Sequence, residues 1–314
     1  MELDKRNAWA EFFASYNHAL GESFDAELEG IDDPEIMDAP GFDDAIRERV
    51  LIGMEAWYKR PLAAPGGPTP RDMVERIDSL DEAMEVFLLA SSQCDEELPD
   101  PLRTKLEDFG SEAIDRLLPL VFDTSWDTVE EHTEERPDKM LAGAAALRLL
   151  GDWGAADPFE LILSRFVSVP QPDEMICEAF VSYCNGIGPV SAGPLADTLL
   201  QAAAVGHPMT GAYEYLVIAL SEVGRRQPSD HVFLCLRECF RKMERKVIGA
   251  ICLGDYGDGR AIPALKGYVD RHIEQIDRQL YYEILSSIKR LGGDISDMRD
   301  PFGGSQGMRG PMKQ

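Results

Sequence analysis

Apolar side chains recur along this chain at intervals of three and four, the spacing that lines one face of an α-helix. The first run, Trp9, Phe12, Phe13, Tyr16 and Leu20, predicts a helix over 6–20. Residues 22–40 are acidic and turn-rich, and Asp33-Pro34 and Ala39-Pro40 speak against a continuous helix there. A second helix is carried by Phe42, Ile46, Val50, Gly53 or Met54, and Trp57, and the Pro/Gly-rich run 61–68 reads as a loop. Thr69 as N-cap, Pro70 at the first helical position and Asp72 in the first turn open a further helix. Its predicted stripe is Met73, Ile77, Leu80, Met84, Phe87 and Leu88. Asp100-Pro101 repeats the start signal, and a break at Gly110-Ser111 leads to a helix through Ile114, Leu117, Leu118 and Val121. Sustained two-residue alternation is missing, so the chain reads as all-α.

The pattern is most regular from residue 138 onward. Breaks fall at Gly110, Gly151, Gly186 or Gly188, Gly224, Gly254 and Gly292, 30 to 41 residues apart. Leu150-Gly151-Asp152-Trp153-Gly154 returns as Leu253-Gly254-Asp255-Tyr256-Gly257. A period near 35 marks helical hairpins that bury their apolar faces only against neighbours, and it predicts an α-solenoid, a superhelix of stacked hairpins. Three segments are expected: an acidic helical segment over 1–99 that caps or extends the solenoid, the repeat array over 100–302, and a disordered Gly-rich tail over 303–314.

The stretches 146–162 and 250–265, with their Gly-Asp turns and the following Asp157-Pro158 and Pro263, resemble HEAT repeats. More closely they look like the short HEAT-like repeats of bacterial proteins and phycobilin lyases. The resemblance covers about residues 100–300. It implies that Gly151 and Gly254 take the left-handed backbone ending one helix, and that the aspartate beside each caps the next. The family holds scaffolds, adaptors, lyases and a di-iron hydroxylase, so architecture is implied far more firmly than activity. The hydroxylase branch uses His-Glu dipeptides as iron ligands. Here His18, His132, His207, His231 and His272 precede Ala, Thr, Pro, Val and Ile, which speaks against it.

Composition changes this picture in one respect. The net charge is −26, and residues 1–150 hold 36 acidic against 14 basic side chains, a balance of −22. An acidic half repels phosphate backbones, so general nucleic-acid binding is not expected. Solubility or a salt-adapted host accounts for the acidity. The functional alternatives are a docking surface for a basic partner, or mimicry of a nucleic-acid backbone. No run approaches a membrane span and the first residues lack a signal core, so a cytoplasmic protein is expected. The six cysteines, Cys94, Cys177, Cys184, Cys235, Cys239 and Cys252, lie mostly among apolar neighbours and read as free, small hydrophobes.

Candidate chemistry is sparse. His231, Cys235 and Cys239 fall at i, i+4 and i+8, but eight residues of helix rise about 12 Å, far beyond one zinc ion's reach of about 2.0–2.3 Å. A structural helix face is the better account, and no metal or cofactor is expected. The glycine-rich run 254–259 lacks the marks of a P-loop or an EF-hand and is explained as a repeat turn. There is no nucleophile elbow, and Trp9, Trp57, Trp126 and Trp153 read as packing residues. One basic island stands out at 225–246, where Arg237, Arg241 and Arg245 recur four apart and Glu238 is placed to pair with Lys242. A solvated face explains it. The functional alternative is a docking site, formed by Arg237, Arg241, Lys242 and Arg245, for an acidic partner or for the chain's own acidic half. The combined expectation is a non-catalytic scaffold or adaptor that binds another protein through a concave solenoid face. The alternative is a lyase- or chaperone-like protein holding a hydrophobic cofactor there, as the resemblance to phycobilin lyases implies.

Overall fold

The computed structural model describes residues 3–31, 42–62, 67–95, 97–123, 136–169 and 171–302. Among these the chain is helical, with no strand. The described residues up to Leu149 pack as one compact unit and those from Leu150 as a second. This division lies well beyond the 99/100 boundary drawn from the repeat pattern. The tail 303–314 and Trp126 lie outside the described residues.

In the first unit α1 (Leu3–Leu28) packs along α2 (Phe42–Tyr58) and α4 (Leu80–Gln93). The predicted face of α1 is buried at all five positions. The helix continues past Leu20 because Phe24 prolongs the Tyr16–Leu20 line and packs on the same cluster, with Ile46, Val50, Met54 and Tyr58 of α2. Trp57 meets Phe12 and Tyr16 edge-on at 5.5 and 5.7 Å, and its indole N–H donates to Ser15 Oγ at 3.2 Å. The single stripe expected after Thr69 is two helices. In α3 (Pro70–Glu75) Thr69 and Asp72 form a reciprocal capping box, and Ser79 then caps α4 anew through Glu82 N–H. Ile77, Met84 and Phe87 of that stripe are buried, but Leu88, expected inside, stands 45% exposed while Leu89 and Ala90 are buried. Two shorter helices, α5 (Asp100–Glu107) and α6 (Ser111–Val121), follow, and the boundary between the units falls within α7 (Arg136–Asp152).

The second unit contains α8 (Phe159–Ser168), α9 (Glu174–Ile187), α10 (Ala192–Ala204) and α11 (Ala212–Arg226). It continues through α12 (Asp230–Lys242), α13 (Lys246–Tyr256), α14 (Ile262–His272) and α15 (Arg278–Arg290). Helices pack on the next but one: α9 on α11, α11 on α13 and α13 on α15 form one row, and α10 packs on α12. Phe240 of α12 meets Tyr268 of α14 at 5.3 Å. Sequence neighbours α10 and α11, α11 and α12, α12 and α13, and α14 and α15 also touch.

The repeat glycines do a different job from the one the family resemblance implies. Gly151 and Gly254 sit inside α7 and α13, and the left-handed residues are Gly154 and Gly257, three positions on, at φ +62° and +83°. Gly151, Gly186 and Gly254 are points of close helix approach. A β-carbon on Gly186 would overlap the carbonyl of Gly151, and one on Gly254 would come within 2.9 Å of the Ser287 side chain. Asp255 caps no helix either: it accepts from Arg290 of α15 at 2.7 Å, and the local cap comes from Asp258, which accepts from Arg260 N–H at 2.9 Å.

Candidate functional site

The row α9–α11–α13–α15 presents one surface with a regular make-up. On each helix the positions i, i+3 and i+7 point the same way, and the four sets are Glu178-Val181-Asn185, Tyr215-Ile218-Glu222, Ile248-Ile251-Asp255 and Glu283-Ser286-Arg290. None of these twelve side chains is buried, whereas each helix buries a separate set of residues against its neighbours. The middle of the surface is apolar: Val181, Ile218, Ile248 and Ile251, with the ring of Tyr215.

Its C-terminal edge is a polar line, with one member per helix at spacings of 33 to 37 residues. Asn185 Nδ2 donates to Glu222 Oε2, and the guanidinium of Arg226 donates to the Asn185 carbonyl at 2.6 Å. Arg290 joins Asp255 at 2.7 Å and Glu283 at 2.9 Å. Half-burial leaves such pairs less screened than open surface ion pairs. Burial, followed by the nearby Cys177, Glu174, Glu178 and Glu214, holds the Tyr215 hydroxyl above the ordinary tyrosine range, so it stays a neutral hydrogen-bonding group.

The basic residues singled out from sequence lie elsewhere. Arg237, Arg241 and Lys242 belong to α12, outside this row, and α12 ends at Lys242, so Arg245 does not extend their face but precedes α13. Arg241, not Lys242, pairs with Glu238, through two bonds of 2.9 and 2.5 Å. Arg245 reaches the buried Glu214 at 3.0 Å, and Arg237 lies 5.8 Å from the Phe233 ring centre. Lys246 donates to the carbonyls of Phe240, Arg241 and Met243 at 2.7–2.9 Å, closing the end of α12. Much of the island is thus engaged in contacts within the second unit.

The metal-like triplet is taken apart in the same way. His231 Nε2 faces Asp197 at 2.9 Å, while Cys235 and Cys239 are buried with their sulfurs 4.0 Å apart. Burial pushes the thiols of Cys177 and Cys252 up to about 12.

The described residues of the first unit form a cleft and a groove. A cleft of about 340 Å³ is lined by Glu55, Arg71, Asp100, Thr104 and Lys105 among others. Arg71 holds Glu55 at 3.0 Å, and burial raises the Asp100 carboxyl against the lowering effect of Arg103. A second, open groove of about 410 Å³ has Leu88, Leu89, Leu120 and Ala142 on its floor. Charged groups of both signs edge it, Glu85, Asp123 and Asp138 alongside Arg6 and Lys139.

Sequence reasoning tracked glycines and missed the polar line, although one polar residue per period at 185, 222, 255 and 290 was a signal of equal regularity. No described helix is long and apolar enough to cross a membrane. No protein family, curated protein or solved structure matches this chain.

Proposed function

We propose that residues 150–302 form a HEAT-like solenoid of stacked helical hairpins, and that this unit is a non-catalytic scaffold or adaptor binding another protein through the α9–α11–α13–α15 face. The observation behind this reading is the fourfold recurrence of exposed or half-exposed i, i+3, i+7 sets on helices that pack next but one. Repetition of this kind makes a long, firm surface whose residues can vary without disturbing the packing beneath it. The apolar centre supplies contact area and the polar edge sets register.

The test is affinity capture from the native lysate with the wild-type chain and with an Ile218→Asp/Ile251→Asp variant checked for native helicity. A partner recovered by the wild type and lost with the variant supports the reading. An identical set of captured proteins overturns it.

The same half-exposed Tyr215, Ile218 and Ile251 favour one alternative, a lyase- or chaperone-like grip on a hydrophobic cofactor. Titration with a linear tetrapyrrole decides this: an unchanged absorbance spectrum removes the alternative.

A further inference from the structure

The face described above has a chemical preference that follows from what edges it. Its centre, Ile218, Ile248 and Ile251, is apolar across adjacent helices. Packed helices lie about 8–10 Å apart, so the apolar strip crossing α9, α11 and α13 is about 20 Å long, room for a few turns of a partner helix laid across them. Around that strip stand four carboxylates, Glu178, Glu222, Asp255 and Glu283, against two guanidinium groups, Arg226 and Arg290.

The guanidinium groups are already committed. Arg226 binds a backbone carbonyl, and Arg290 is shared between Asp255 and Glu283. Among the described residues Glu222 takes an uncharged amide hydrogen bond from Asn185 and no ion pair, and Glu178 is exposed on α9. The surplus is negative, and it sits where a bound segment would flank the apolar strip.

We infer that this face receives a cationic amphipathic helix of a partner protein, its apolar side on Ile218 and Ile251 and its Lys or Arg side chains beside Glu178 and Glu222. The inference rests on the scaffold reading and adds the chemistry of the occupant. It parts from the expectation of an acidic partner drawn from Arg237, Arg241, Lys242 and Arg245, because those groups lie outside the face. Apolar burial supplies most of the affinity in such docking, and the charges set on-rate and selectivity.

The experiment uses the full chain and three fluorescein-labelled peptides followed by anisotropy. One is a Leu/Lys peptide with all leucines on one helical side, one is the same composition shuffled, and one replaces every Lys by Glu. The amphipathic Leu/Lys peptide is expected to bind about tenfold or more tightly than either control, and less tightly as salt rises from about 0.05 to about 0.5 M. Ile251→Asp and, separately, the exposed Glu178→Lys are each expected to weaken it about three- to tenfold. Equal binding of the Lys and Glu peptides, or wild-type affinity in both variants, overturns the inference. Should the Glu peptide be preferred and Ile251→Asp abolish its binding, the cationic partner falls while the face reading stands. If the wild type dimerises on sedimentation and Ile251→Asp does not, the occupant is a second copy of this chain, and the inference is overturned.

Discussion

Gly186 of α9 lies directly against the backbone of Gly151 in α7, so close that a β-carbon at 186 would overlap the Gly151 carbonyl. In the other direction, a β-carbon at Gly151 would come within 2.8 Å of the Tyr183 α-carbon. Two helices meet here main chain to main chain. Gly→Ala inside a helix ordinarily stabilises by about 0.5–1 kcal/mol, but at 186 the overlap reverses the sign, because backbone cannot swing aside. Gly186→Ala is expected to lower stability by about 1–3 kcal/mol. Gly21→Ala in α1, where nothing lies within 4 Å of the added carbon, is expected to raise it slightly. Thermal unfolding followed by circular dichroism checks both signs.

Tyr256, the last residue of α13, reaches Ser229, the N-cap of α12, at the open end of the helix pair. Its hydroxyl donates to the Ser229 carbonyl at 3.0 Å and accepts from the Ser229 N–H at 2.9 Å, tying the end of one helix to the start of another. Tyr256→Phe keeps the ring and strands both backbone groups, for a loss of about 1–2 kcal/mol. Urea unfolding measures it, and an unchanged midpoint would show that water replaces the hydroxyl without cost.

Glu214 is 5% exposed, with one carboxylate oxygen on Arg245 and the other without a hydrogen-bond partner among the described residues. Removing the arginine leaves a buried charge uncompensated. Since Arg245 is itself well exposed, Arg245→Ala is expected to cost about 1–2 kcal/mol and not the larger value of a fully buried pair. In a Glu214→Gln background the same change is expected to cost less, and a double-mutant cycle reads the difference.

Burial sets a pH limit on this fold. Cys177 and Cys252 have folded-state values of about 12, and burial also raises the phenols of Tyr16, Tyr58 and Tyr183. For a group whose pKa is raised in the folded chain, the stabilisation is complete below the unfolded value, about 8.5 for cysteine, and is lost as pH rises toward the folded value. Urea midpoints are therefore expected to hold up to about pH 8 and to fall progressively above about pH 9. The buried thiols should also react with a disulfide reagent far more slowly in native than in denatured protein.

The helices were legible because a three- and four-residue period reports a buried face directly: Trp9, Phe12, Phe13, Tyr16 and Leu20 are all inside. What the period does not report is where one helix stops and another restarts. Ser79 marks such a restart through Glu82 three residues on, a capping signal separate from the apolar period, and within α4 Leu88 is exposed where Leu89 and Ala90 are buried. Nor does a glycine declare whether it serves a positive φ or a close neighbour, and Gly151 and Gly254 proved to serve neighbours. The contacts of the basic island were hidden for a related reason. Charge spacing places side chains on a face but does not reveal a partner arriving from another helix, as Glu214 does for Arg245. The polar edge of the candidate site depends on which helices become neighbours, so its members could be found in sequence only by asking for the period at polar positions as well.

Helix α15 carries one more consequence. Residues 294–302 fold back over α15, where the Tyr281 hydroxyl donates to the Arg299 carbonyl at 3.0 Å, Tyr282 reaches Asp300 at 3.1 Å, and Phe302 sets its ring 5.7 Å from that of Tyr281. A helical row has an outer flank wherever it stops, and an uncovered aromatic flank invites another molecule to continue it. This short strap covers the Tyr281 and Tyr282 side of α15, so a chain trimmed after Gly293 is expected to expose an adhesive aromatic face there.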